Sequence, residues 1–138
     1  MHRVFISTCA LFLAVNCFAE SYESLDKRIV EAYNANPKNT QDVYIYAMQI
    51  LERARLDRSD DASDWEDKAQ MLITIAAYSE MDRALDNKDY QEAYVWAMRG
   101  LSNGAARGDL GGVSIKQVYD ILKDLSEKLS DEPSVKEM

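Results

Sequence analysis

The side chains that most often do chemistry sit where a folded domain cannot use them. The only histidine is His2, and the two cysteines are Cys9 and Cys17. All three fall inside a stretch that reads as an export signal. Residues 20–138 hold neither type, so they can build no Ser-His-Asp or Cys-His catalytic set and no zinc site of ordinary composition. Carboxylates remain. Asp57, Asp60, Asp61 and Asp64 crowd one short segment, which raises the question of calcium. A calcium loop needs Gly at its sixth position and Glu at its twelfth; counted from Asp60, these positions hold Trp65 and Met71. The segment therefore reads as a solvated acidic loop leading into a helix N-terminus, where negative charge is favoured. A carboxylate pair of the glycosidase kind could be drawn from the 24 Asp and Glu residues, but no pair stands apart from surface acids. Residues 103–112 contain Gly104, Gly108, Gly111 and Gly112 with no Gly-Lys-Ser/Thr. This is a flexible connection rather than a phosphate cradle. No catalytic residue, metal ligand or cofactor is expected.

The N-terminus explains where the chemistry went. Arg3 supplies a positive start, and residues 4–15 are apolar apart from Ser7 and Thr8. Cys17-Phe18-Ala19 then places small residues at the two positions a signal peptidase reads, so cleavage is expected between Ala19 and Glu20. The apolar stretch is short of the ~20 residues a bilayer span needs. An uncleaved anchor and a lipid on Cys17 are the alternatives, the latter opposed by Asn16 where a small residue is required. Losing residues 1–19 removes Arg3 from the 16 cations and none of the 24 anions, taking the net charge from −8 to −9. Such a balance opposes nucleic acid and anionic lipid as partners and permits a basic protein. With no cysteine left, packing alone must hold residues 20–130 together as one domain, and residues 131–138, with Pro133, form a flexible polar tail. A disulfide-free exported domain without an N-x-Ser/Thr acceptor fits a bacterial periplasmic or secreted location.

Five helices follow from apolar spacing and start signals, and no segment alternates as a strand would. The first carries Tyr22, Leu25, Ile29 and Tyr33. The second starts near Asn39 or Thr40 and buries Val43, Ala47, Ile50 and Ala54. The third opens on a capping box of Ser63 and Glu66 and carries Trp65, Ala69, Leu72, Ala76, Met81 and Leu85. Asp89 with Glu92, and Ser114 with Gln117, open the fourth and fifth in the same way; the fifth carries Ile115, Val118, Leu122, Leu125 and Leu129. Tyr94-Val95-Trp96-Ala97-Met98 is apolar all round a turn, which predicts a fourth helix at the centre of the bundle.

Residues 41–51 align without a gap to residues 91–101, with five of eleven positions identical. Asp42/Glu92, Ile45/Val95 and Tyr46/Trp96 are close exchanges. The simplest account is two tandem helical hairpins closed by a fifth helix, an all-α fold. The stretch Asp89-Tyr90-Gln91-Glu92-Ala93-Tyr94-Val95-Trp96, with Arg99-Gly100 and Gly104, resembles the second helix of a Sel1-like repeat, a relative of the tetratricopeptide repeat. The resemblance covers about sixteen residues; the third helix and the 50-residue spacing depart from the family pattern. It implies a protein-binding helical scaffold in which the Tyr and Ala pack on the neighbouring helix and a glycine ends the helix.

The second helix has a further apolar face of Tyr44, Met48 and Leu51. Either this face stays partly exposed as a docking patch, with Asp57, Asp60, Asp61 and Asp64 as an acidic rim that steers a basic partner, or the third helix, about 34 Å long, covers it. The functional expectation is an exported, non-enzymatic, protein-binding adaptor. The alternative is an immunity protein that neutralises a basic secreted toxin through charge complementarity, and the third class is a carboxylate-dependent cell-wall hydrolase.

Overall fold

A computed structural model describes residues 20–104 and 114–130. The expected export signal, residues 105–112 of the glycine-bearing connection and the tail 131–138 lie outside the described residues. Five α-helices and no strand occur among those described.

Local chemistry starts each helix. Ser21 caps α1 (Tyr22–Asn34) by accepting from the Ser24 N–H at 3.0 Å, and Asn39 caps α2 (Thr40–Leu56) by accepting from Asp42 N–H at 3.1 Å. These contacts satisfy backbone donors that a helix start leaves without an internal partner. α3 (Ala62–Asp86) begins earlier than its sequence signal. Asp57 and Asp61 tie down Ser59 in the turn, and the helical ladder opens with Trp65 N–H on Asp61 C=O at 3.2 Å. Ser63 and Glu66 therefore lie inside the helix and form no capping box. Asp89 caps α4 (Tyr90–Asn103), whereas α5 (Ile115–Ser130) has the full reciprocal box of Ser114 and Gln117 at 2.8 and 3.1 Å. Gly100 lies within α4, and Gly104 is its C-cap.

The α3–α4 turn is closed by two backbone bonds, Lys88 N–H to Leu85 C=O at 3.0 Å and Asp89 N–H to Ala84 C=O at 2.9 Å. This paired ending places the residue after the cap in the left-handed region. Here that residue is Lys88, with φ 58°.

Each helix packs mainly on its neighbours in sequence. Two apolar clusters result. Leu25, Ile29, Val43, Ile50 and Leu51 meet Ala69, Ile73 and Ala76 of α3 in one; Ala77, Met81 and Ala84 of α3 meet Trp96, Ala97, Val118 and Leu125 in the other. α3 is thus the central helix, a correction to the expectation for α4. Its alanines allow close approach on both sides, whereas on α4 Tyr94 is 36 % exposed, Val95 39 % and Met98 40 %. Tyr33, expected on the α1 stripe, is exposed as well, and Ala32 takes the inward place. Aromatic pairs join alternate helices: Tyr22 stacks on Trp65 and Tyr44 meets Trp96 edge-on, both at 5.2 Å. Hairpin α1–α2 thereby lies against hairpin α3–α4, with α5 on α4.

Candidate functional site

The expected docking patch on α2 does not survive folding intact. Leu51 is fully buried, in the cluster that includes Ile50, Ala54 and Ile73. Tyr44 and Met48 are half-buried. Trp96 packs edge-on to the Tyr44 ring, Asn103 Nδ2 donates to its hydroxyl at 3.3 Å, and the Arg99 guanidinium lies 5.8 Å from the ring centre. Side chains of α4 cover Tyr44, where the expectation named only the third helix.

The acidic residues also separate from that patch. Asp57 follows Tyr44 by thirteen positions, about 20 Å of helical rise, so the acidic turn does not form a rim around Tyr44. Asp57 belongs to the turn: its carboxylate accepts from Tyr22 Oη at 2.7 Å and from Ser59 N–H at 3.0 Å. The Ser59 hydroxyl stands 2.8 Å from both Asp57 Oδ2 and Asp61 Oδ1 and donates to one or the other. Asp60, Asp61 and Asp64 are exposed. Glu20, at the expected cleavage point, pairs with Arg28 at 2.8 Å and accepts from Ser24 Oγ at 2.9 Å, while its carbonyl takes the Arg53 guanidinium. Among the described residues no group of three His, Cys, Asp or Glu converges as a metal site, and no helix is long and apolar enough to cross a membrane.

The Tyr22–Asp57 bond carries a pH signature. Hydrogen bonds from Tyr22 and Ser59 hold the Asp57 carboxyl at about 2 instead of 3.8. Burial, then the bond to Asp57, pushes the Tyr22 phenol from 10.0 to about 12. A lowered acid pKa stabilises the fold above the unfolded value and loses that contribution as pH falls from about 4 to about 2. A raised phenol pKa stabilises it below pH ~10 and loses that contribution as pH rises toward ~12. The stability difference between the protein and Tyr22→Phe should therefore narrow in both windows when followed by circular dichroism in urea. Parallel pH profiles for the two proteins would refute the assignment.

Glu80 is a buried group without a signal in the residue pattern, since it sits between Ser79 and Met81 like any surface acid. It is 2 % exposed. Thr40 donates its hydroxyl to Oε1, Arg83 lies 3.3 Å from the same oxygen, and Gln41 Nε2 reaches Oε2 at 3.5 Å. Thr40 and Gln41 open α2, so the carboxylate also faces the positive end of that helix. The cluster pins α2 to α3.

One concavity lies between α1 and α3, with α2 as its floor. Ile29, Val30 and Tyr33 form one wall, Leu72, Ile75 and Ala76 the other, and Thr40 and Val43 the base of a cleft of about 380 Å³. From Asp26 to Asn34 it runs about 12 Å along α1. Lys68 pairs with Asp26 at 2.9 Å toward one end, and Lys38 lies 4.3 Å from the Tyr33 ring centre toward the other. No family model, curated protein or solved structure matches this chain. The cleft is of a size and apolarity that suit a few inserted side chains. Of its polar members, Lys68 pairs with Asp26 and Thr40 with Glu80, which leaves a largely apolar lining. A wider, shallower hollow of about 630 Å³ borders Arg53, Arg55 and the strongly exposed Leu56 at the far end of α2.

Proposed function

We propose that this chain is an exported, non-enzymatic protein-binding module, a small helical adaptor of the bacterial envelope that is released by cleavage after Ala19. The observation that carries the reading is the α1–α3 cleft. It is a preformed apolar trough whose charged lining residues, Asp26 and Lys68, pair with each other toward one end. An inserted Leu, Met or aromatic side chain would bury apolar area at about 25 cal/mol per Å² without breaking an internal contact. The echo of α2 in α4 agrees with a repeat scaffold: Asn39 and Asp89 cap alike, and Val43, Ala47 and Ile50 are buried as Ala93, Ala97 and Gly100 are.

A photo-crosslinking residue at Val30, which is 50 % exposed on the cleft rim, should form one discrete protein adduct in intact cells. The same residue at exposed Glu52 on α2 should form none, and Ile75→Glu should abolish the Val30 adduct while leaving the melting temperature within a few degrees. Equal adducts from both positions, or none from either, would overturn the reading. A second reading, neutralisation of a basic toxin, is favoured by one observation, the exposed Asp60, Asp61 and Asp64 at the α2–α3 turn. In that case the adduct forms from Asp60 instead of Val30, and salt weakens the complex.

A further inference from the structure

The two walls of the α1–α3 cleft run in step. Asp26, Val30 and Tyr33 line it from α1, and Lys68, Leu72 and Ile75 line it from α3. Both sets stand at i, i+4 and i+7, and each α3 residue follows its α1 counterpart by 42 positions, the separation of the Lys68–Asp26 pair. The walls are thus side-chain rows on two helices that run in the same direction, since α2 turns back between them. Rows of that spacing mesh with side chains of the same spacing on a third helix laid along the groove. An extended segment fits worse. It would bring bare N–H and C=O groups against apolar walls whose Thr40, Asp26 and Lys68 already have partners, whereas a helix bonds its own backbone. The length of the trough, about 12 Å, takes roughly two helical turns.

The ends of the trough give that helix a direction. At the Asp26 end the two charges neutralise each other at 2.9 Å. At the Tyr33 end Lys38 lies against the ring and, among the described residues, forms no ion pair. Glu80, behind Thr40, is buried and already shared by Thr40 and Arg83. An acid arriving at this end therefore has a cation to meet, and an arriving cation is repelled. We infer that the partner of this cleft is an amphipathic helix with apolar side chains at i, i+4 and i+7 and a Glu or Asp one turn further on, at i+11, seated with that acid at Lys38. Its C-terminal end, the negative pole of the helix dipole, then lies at the same cation. The inference rests on the reading of the cleft as the binding site.

Three labelled helical peptides on one Ala/Gln background test this by fluorescence anisotropy with the protein purified from cells. The first has Leu at i, i+4 and i+7 and Glu at i+11. The second has Lys at i+11, and the third keeps the composition of the first with its leucines moved off one face. The first should bind with Kd on the order of 100 µM, as suits a small interface. It should bind about fivefold tighter than the second in about 50 mM salt, a preference that shrinks in about 0.5 M salt because an exposed pair is screened. The third should not bind. Lys38→Glu should reverse the preference between the first two, Lys38→Arg should keep it, and Ile75→Glu should abolish both complexes. If a circular dichroism melt shows Ile75→Glu unfolded, Val30→Glu takes its place, at a position 50 % exposed. Equal binding of the first two at low salt, or a preference that Lys38→Glu leaves unchanged, would overturn the acid and the direction. Equal binding of the third peptide would overturn the helix. If no peptide binds up to about 1 mM while the Val30 crosslinker still forms its adduct in cells, this proposal falls and the cleft remains the binding site. If the adduct is missing as well, both readings fall.

Discussion

Leu51→Ala should lower the melting temperature by on the order of 10 °C and leave no binding defect beyond that loss. Leu51 has no exposed surface and packs in the cluster that holds Ile50, Ala54, Ala69 and Ile73. Truncating a buried leucine costs about 2–5 kcal/mol, the transfer of its methyls plus the cavity left behind. In a domain of this size each kcal/mol moves the midpoint by about 3–6 °C. Alanines dominate the facing stretch of α3, and an alanine cannot extend into a vacated space, so the upper half of the range applies. Met48→Ala is the internal control: its half-buried, flexible side chain should cost about 1 kcal/mol, because solvent already borders it. Calorimetric scans of both variants decide the point. A shift under ~3 °C for Leu51→Ala would mean that this side of α2 is open, as the sequence pattern had allowed.

The sequence was most informative where one residue type dictates one local outcome. Ser114 and Gln117 can satisfy each other only at a helix start, and they do so. Val43, Ala47, Ile50 and Ala54 recur at helical spacing, and all four are buried. Where two elements compete for the same residues, spacing could not decide. Ser63 and Glu66 have capping chemistry, yet the Asp57–Ser59–Asp61 turn starts the helix before them. α3 hid its central place because the residues that let it pack on both sides are alanines together with Thr74 and Glu80, which carry little apolar signal. α4 showed the reverse: five consecutive apolar residues suggested burial all round, and only Trp96 and Ala97 of the five are buried. The cleft escaped notice for a related reason. Val30 and Ile75 lie off the stripes that marked their helices, and they become neighbours only once α1 and α3 are laid side by side over α2.

Gly100→Ala should destabilise the fold although it improves the helix. The position aligns with Ile50 of α2, which fills its own hairpin; in α4 the equivalent space belongs to the Tyr78 ring of α3. A Cβ on Gly100 would stand 2.9 Å from Tyr78 Cδ1 and closer still to Cε1. The ring is 4 % exposed, and its burial holds the phenol above its ordinary pKa, so it has little room to swing. Two terms oppose each other. Alanine in place of a mid-helix glycine is worth about 1 kcal/mol of propensity, and overpacking a filled site costs about 1–3 kcal/mol or more. An aromatic ring cannot yield as the end of a flexible chain can, so the steric term wins by about 1–2 kcal/mol, a fall of roughly 5 °C. Tyr78→Leu supplies the test, because it removes the ring atoms in the way while keeping the site apolar. In that background only the propensity term remains, and Gly100→Ala should raise the melting temperature. The sign of one substitution thus depends on the residue across the interface, a coupling that a double-mutant cycle reads directly. If Gly100→Ala stabilises the protein with Tyr78 in place, the ring moves freely and α3 and α4 do not meet as closely as this packing requires.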